Sequence, residues 1–239
     1  QTENEIESFF QSVGAVWMRF DSQEELCQHV ACLLDTGMVV GWSQGRMEFG
    51  PRALGNRSIL GDPRRPEMQS DMNAKIKFRE SFRPFAPAVL AERASEFFEM
   101  PPDQESPYML LVAPVRREKR VRGAADAMGF DKLRSPRSVV PAITHVDCSA
   151  RVQTVDAERS PAFYRLIKAF YRRSGCPLLI NTSFNVRGEP IACTVEDAYR
   201  CFVGTGLDAL VVGNYLLLKT EQPAAARCGV QSSRQFELD

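Results

Sequence analysis

Histidine is scarce in this chain of 239 residues, where His29 and His145 are the only two. None of its seven cysteines forms a CxxC pair, so no all-protein zinc site is expected, and no bound metal is predicted. The cysteines are odd in number and scattered as Cys27, Cys32, Cys148, Cys176, Cys193, Cys201 and Cys228. That pattern argues against a secreted disulfide framework and for reduced thiols in the cytoplasm. No window approaches the ~20 apolar residues that span a bilayer, and no basic, apolar, small-residue leader opens the chain. A GxxxxGK[ST] phosphate loop and a GxSxG nucleophile elbow are both missing, which removes two common enzyme classes. Net charge is missing as well. Thirty basic side chains cancel thirty acidic ones, so the overall field steers toward neither nucleic acid nor membrane. What is present is ordinary for a globular protein: 44% hydrophobic and 25% charged residues, enough for a core. The start at Gln1, not Met, points to an excised domain.

Along the chain, residues 1–21 carry acids and scattered aromatics and read as an entry segment. Ser22 to Asp35 reads as a helix, with Ser22 and Glu25 at capping-box spacing, Leu26, Val30, Leu33 and Leu34 on one face, and Gly37 as its stop. Met38 to Trp42 is a short buried strand. A polar stretch from Gln44 to Arg83 follows, with a short helix around Pro66 to Ile76. Ala86 to Leu90 and Tyr108 to Val112 read as strands on either side of a helix near Ala91 to Glu99. Between Arg116 and Arg137 lie eight basic and three acidic residues with little apolar periodicity, the composition of a mobile basic loop. Arg151 to Val155 alternates like a strand. Ser160 and Pro161 open a helix whose inner face is Phe163, Leu166, Ile167 and Phe170, and Gly175 ends it. Leu178 to Ile180 is a strand emptying into a polar loop, Asn181 to Glu189. Thr194 with Asp197 opens another helix reaching about Val203. Ala209 to Val212 and Tyr215 to Leu218 flank Gly213-Asn214, a hairpin signal, and a polar tail follows over 220–239. Helical and hairpin connections mix, which predicts an α+β fold: a mixed twisted sheet flanked by helices in one domain over 22–219.

Four stretches concentrate chemistry. In Gly45-Arg46-Met47-Glu48-Phe49-Gly50-Pro51-Arg52-Ala53-Leu54-Gly55-Asn56-Arg57-Ser58, glycines admit backbone N–H groups to an anion that Arg52 and Arg57 would clamp. The bland alternative is a tight turn whose arginines pair with Glu48 or Asp62. In Asn73-Ala74-Lys75-Ile76-Lys77-Phe78-Arg79-Glu80-Ser81-Phe82-Arg83-Pro84-Phe85, an extended backbone would aim Lys77 and Arg79 at one face, whereas a helix would leave a solvated basic face. Arg79 and Arg83 offer planar forks for phosphate or carboxylate oxygens, and Phe78, Phe82 and Phe85 read as core anchors. In His145-Val146-Asp147-Cys148-Ser149-Ala150-Arg151, the HxD pair reads as structural before catalytic, Cys148 as an inert thiol, and Arg151 as a further cation at a strand start. In Leu179-Ile180-Asn181-Thr182-Ser183-Phe184-Asn185-Val186-Arg187-Gly188-Glu189-Pro190, a strand opens into a ligand loop where the Ser183 hydroxyl is a donor to an oxyanion. Gly204-x-Gly206-x-x-Ala209 follows a helix and precedes a strand, the reverse of a dinucleotide fingerprint, and is set aside.

In this order the four stretches resemble the C-terminal domain of the NodU/CmcH-type O-carbamoyltransferases, over roughly Met38 to Lys219. The motifs GRMEFGPRALGNRSIL, NAKIKFRESFRPFAP, HVDCSARVQTV and NTSFNVRGEPI carry the resemblance. It implies a YrdC-like fold, whose KxR and SxN elements match Lys77-Phe78-Arg79 and Ser183-Phe184-Asn185. It also implies that the domain takes carbamoyl phosphate and ATP, with Mg2+ as the nucleotide's companion, and makes carbamoyl adenylate. Arg52, Lys77, Arg83, Arg151 and Ser183 match positions that hold carbamoyl phosphate, and Arg79 and Asn185 carry over from the KxR and SxN patterns. Full-length relatives carry a Kae1-like N-terminal domain that performs the transfer to a hydroxyl acceptor, so such a partner, in cis or in trans, is implied. One departure is local: the family has Gly and Thr where this chain has Cys148 and Ser149, which puts a tight turn beside Arg151 in question.

Three other readings compete, one of them a degenerate domain retained for assembly, against which stand the intact cations at every matched position. A basic YrdC-like surface suits an RNA-binding module, but the 116–137 loop lacks the interleaved aromatics that stack bases. A threonylcarbamoyl-adenylate synthase would share the fold, yet the long GPRALGNRS and HVDCSARVQT elements argue against it.

Overall fold

A computed structural model describes residues 1–121 and 136–224. Most of the basic loop and of the polar tail expected from the sequence therefore lies outside the described residues. The helices are α1 (Glu3–Ser12), α2 (Gln23–Asp35), α3 (Met68–Met72), α4 (Ala94–Phe97), α5 (Pro161–Ser174) and α6 (Val195–Gly204). The strands are β1 (Met18–Arg19), β2 (Val40–Ser43), β3 (Arg57–Gly61), β4 (Ala86–Leu90), β5 (Leu111–Pro114), β6 (Ser149–Val155), β7 (Leu178–Ser183), β8 (Ala209–Val212) and β9 (Tyr215–Leu218). They form one mixed sheet in the order β1-β9-β8-β2-β3-β7-β4-β6-β5. The β2–β8 and β4–β6 pairs are parallel and the rest antiparallel.

Local signals account for most of these elements. The Ser22 hydroxyl accepts from the N–H groups of Glu24 (3.1 Å) and Glu25 (3.5 Å), and Gly37, at φ +93°, ends the first long helix. Thr194 and Asp197 form a complete capping box at the start of α6. Pro161 opens α5 and Gly175, left-handed at φ +72°, closes it, with Phe163, Leu166, Ile167 and Phe170 buried along one face. Every residue of β2, β3, β4 and β8 is buried, so the middle of the sheet is covered on both faces.

Four expectations need correction. The entry segment contains α1, opened by a Thr2–Glu5 capping box, which buries Ile6 and Phe10 and sets Phe10 against Tyr199 and Tyr215. The polar stretch hides a central strand, β3, because the Arg57 guanidinium is satisfied by carbonyl oxygens and so tolerates burial. The strand expected at Tyr108 starts instead at Leu111, since Met109 is left-handed (φ +56°) and the Ser106 hydroxyl accepts from the N–H groups of Leu110 and Leu111. The polar tail is anchored near its start by a fully buried residue: Gln222 accepts from the Val16 N–H (3.1 Å) and donates to the Val16 carbonyl (2.8 Å).

The core also presses on the backbone at Gly41 in β2. A Cβ there would lie 2.5 Å from Cζ of Phe184, whose ring is fully buried. Gly41→Ala is expected to destabilise the fold by about 2 kcal/mol through overpacking, measured by denaturant unfolding.

Candidate anion site at the end of the central strands

The loop between β2 and β3 folds around a carboxylate. Glu48 Oε1 accepts from the N–H groups of Leu54 and Asn56, both at 2.7 Å, which draws residues 48–56 into a compact turn. Gly55, at φ +117°, lets this turn approach Phe163, and the Trp42 indole donates to the Gly55 carbonyl at 3.0 Å. The two arginines of this stretch then part. Arg57 is buried and donates to the carbonyls of Gln44, Gly45, Asn56 and Cys193, so it is part of the framework and not an anion clamp. Neither arginine pairs with Asp62, whose carboxylate is taken by Arg64 at 2.6 Å. Arg52 reaches the other way and donates from Nη1 to the Met109 carbonyl at 2.6 Å.

The second stretch is neither extended nor an ordinary helix. Asn73–Lys77 is a π-helical turn continuing α3, and Phe78 follows in the left-handed region at φ +46°. That conformation costs a non-glycine residue of order 1–2 kcal/mol, and it turns the chain so that Lys77 and Arg79 diverge. Lys77 points inward. It is 5% exposed, and its Nζ donates to the Ser183 and Asn185 carbonyls, to Asn185 Oδ1 (2.9 Å) and to Ser183 Oγ (3.3 Å). Burial is the main force lowering its pKa to about 7, with Cys201 opposing and Arg79 assisting. Of the three phenylalanines read as core anchors only Phe85 is buried; Phe78 and Phe82 are exposed, because the left-handed turn carries their segment outward.

Arg52, Arg79 and Arg151 line one cleft of about 190 Å³ together with Ser183, Asn181, Thr182 and Met109. Among the described residues none of the three guanidinium groups has a carboxylate within salt-bridge distance. Burial, and then the charge of Arg52, lowers Arg151; burial, and then Arg83, lowers Arg79. Arg79 lies over the Phe85 ring, 4.9 Å from its centroid. Cations gathered in one cleft with no acid between them form a candidate site for an anion.

The remaining expected residues stand around this cleft. Ser183 lines it, and its hydroxyl donates to Asn185 Oδ1 at 2.7 Å, so that Lys77, Ser183 and Asn185 form one hydrogen-bonded wall. Asn185 Nδ2 is tied to the Glu189 carbonyl at 2.7 Å. Arg83 is not among the lining residues; it is half-exposed and 3.7 Å from Glu80. His145 and Asp147 form an exposed pair at 3.2 Å outside the cleft lining, and Asp147, held down to about 2 mainly by the Ser149 hydroxyl, anchors a tight turn into β6. Cys148 occupies that turn at φ +61°, a backbone conformation suited to glycine.

One residue escaped the sequence reading. Asn181 was expected in a loop, but β7 runs on through Ser183, and Asn181 pairs across the sheet with Leu60 and Ala86. Its Nδ2 donates to the Ala53 carbonyl (3.1 Å) and to Gln153 Oε1 (2.7 Å), while Gln153 Nε2 donates to the Leu54 carbonyl (2.8 Å). Because both carbonyls only accept, the two amides are fixed, and Asn181 Oδ1 is left buried with no partner. The signal available in the sequence was alternation, since Asn181 stands two residues before Ser183 and on the same strand face.

With this geometry in hand, comparison with known proteins is informative. A family model described as carbamoyltransferase C-terminus matches residues 31–219. The chain belongs to this family. It is 55% identical to the uncharacterized protein sll1178 of Synechocystis over 243 residues, covering the whole chain and 39% of that protein. It is 38% identical to the 3'-hydroxymethylcephem-O-carbamoyltransferase of Amycolatopsis lactamdurans, covering 74% of the chain and 30% of the enzyme. Among solved structures it is similar in fold to full-length HypF in a phosphate- and nucleotide-bound form, with a TM-score of 0.50 at 16% identity over 84% of this chain and 22% of HypF. This carbamoyltransferase C-terminal chain thus spans well under half the length of these relatives. It shares with HypF a mixed α/β sheet flanked by helices.

Three outcomes test the site. Arg57→Ala should lower stability by about 3 kcal/mol in chemical denaturation, as five hydrogen bonds from one buried cation are lost. Cys148→Gly should raise stability by about 1 kcal/mol in the same measurement, by relieving the left-handed strain. Lys77 gives a pH signature. The unfolded chain holds its proton up to an ordinary lysine value of 10.5, whereas the folded chain releases it near 7. Between those values the unfolded state binds more protons, so Lys77 makes stability rise with pH. Relative to Lys77→Met, the wild type should therefore gain more than about 1 kcal/mol from pH 7 to 10, and parallel stability curves for the two proteins would contradict the buried ammonium.

Proposed function

We propose that this chain is the carbamoyl phosphate- and ATP-binding domain of an O-carbamoyltransferase, with the functional unit over 22–219 and a YrdC-like fold. Carbamoyl phosphate would lose its phosphate to water, giving carbamate. A carbamate oxygen would then attack the α-phosphorus of ATP, accompanied by Mg2+, and displace pyrophosphate to form carbamoyl adenylate. Transfer to a hydroxyl acceptor would fall to a Kae1-like N-terminal partner domain, in the cytoplasm, where the cysteines remain reduced. The sequence motifs and the family membership support this reading.

A single observation carries it: the cleft is lined by three guanidinium groups with no carboxylate partner among the described residues. A phosphate dianion matches Arg52, Arg79 and Arg151, whose paired N–H donors fit phosphate oxygens. The cleft volume suits so small a molecule. Lys77 supports Ser183 and Asn185 from behind, and its displaced pKa makes it the group best placed to move a proton through the Ser183 hydroxyl during the chemistry.

Calorimetric titration tests the reading. Carbamoyl phosphate should bind, and Arg52→Ala or Arg151→Ala should weaken it at least about tenfold, the effect of losing one charge-assisted contact. No binding of carbamoyl phosphate by the wild type, or full binding in Arg52→Ala, would sink the assignment.

A further inference from the structure

Arg79 is the cleft arginine whose aim depends on a residue remote from the cleft. Asn73 opens the π-helical turn, is fully buried, and is not among the cleft-lining residues. It nonetheless collects the whole segment that follows. Its Oδ1 accepts from Arg79 Nε at 2.6 Å, and its Nδ2 donates to the carbonyls of Ser81 (3.2 Å) and Arg83 (2.9 Å). Its main-chain carbonyl accepts from the N–H groups of both Phe78 and Arg79. The amide orientation is unambiguous, because Arg79 Nε only donates and the two carbonyls only accept. With Nε held by Asn73 and the guanidinium plane laid over Phe85, Arg79 keeps one freedom, its end-on pair of Nη groups. Among the described residues these two nitrogens have no acceptor, and Arg79 lines the cleft.

We infer that Asn73 is a positioning residue for the anion site: it fixes the Arg79 fork end-on into the cleft and staples residues 78–83 in the left-handed turn that brings it there. The inference rests on the cleft being an anion site, and it deepens the proposed function by naming what presets one of its cations. Because Arg79 need not be ordered on binding, its contact with an anion is made at little entropic cost. An arginine left to rotate would have to be immobilised by the ligand.

The test is a double-mutant cycle read by calorimetry, with inorganic phosphate and carbamoyl phosphate as probes. Asn73→Ala should weaken both probes about tenfold in the wild-type background and less than about twofold in an Arg79→Ala background, since Asn73 acts through that side chain. Equal weakening in both backgrounds would show a purely structural role and overturn the inference. Phosphate binding that follows this cycle without any preference for carbamoyl phosphate would refute the proposed function and leave the role of Asn73 standing; failure of the wild type to bind either probe would refute both. A second measurement needs no Asn73 variant. In nitrogen-15 spectra of the wild type, assigned by loss of the signal in Arg79→Lys, the Arg79 Nε–H should exchange with solvent far more slowly than that of exposed Arg46. Exchange at the rate of Arg46 would equally overturn the inference.

Discussion

A group of cations left without an acid is the constraint around which the cleft is arranged. Arg52, Arg79 and Arg151 line one small cleft, and burial lowers the proton affinity of Arg79 and Arg151, with Arg83 adding to the first and Arg52 to the second. No carboxylate neutralises them. Neutral acceptors hold them in place instead: the Met109 carbonyl for Arg52, and the Asn73 amide and the Phe85 ring for Arg79. A carboxylate in those places would stabilise the empty protein and compete with an incoming anion. Carbonyl and amide oxygens orient the cations and leave their charge unspent.

The backbone features around the cleft follow from that arrangement. Met109 is left-handed where its carbonyl meets Arg52, Phe78 is left-handed between Lys77 and Arg79, and Cys148 is left-handed in the turn that leads into the strand bearing Arg151. These are the three non-glycine residues at positive φ among those described, and each is next to a cation of the site or leads to one. Local strain is concentrated where the chain must aim a charged side chain.

The sequence revealed the scaffold more readily than the site. Helices α2, α5 and α6 and the β8–β9 hairpin announce themselves through caps, glycine stops and apolar periodicity, signals that depend on near neighbours only. Strand β3 does not, because its first residue is an arginine whose burial is made tolerable chiefly by the carbonyls of Gln44, Gly45 and Cys193, more than ten residues away. Of the residues the motif resemblance names, Arg52, Arg79, Arg151 and Ser183 line one cleft and Arg83 does not, and the geometry of the KxR element was not legible: period-2 spacing implies a shared face, and a π turn followed by a left-handed residue sends Lys77 behind the wall and Arg79 in front of it. The unmet acceptor of Asn181 was invisible because it is a property of the folded surroundings, created when Ala53 and Gln153 take both of its N–H donors.

The wedging of Phe184 against Gly41 has a mechanical consequence. Phe184 stands between Ser183 and Asn185, and its fully buried ring occupies the space that a side chain at Gly41 would need. The serine–asparagine wall is therefore pinned to the middle of the sheet and cannot travel without dragging an aromatic ring out of the protein interior. That wall is thus the stationary jaw of the cleft, held by the interior of the protein and not by the loop that follows it.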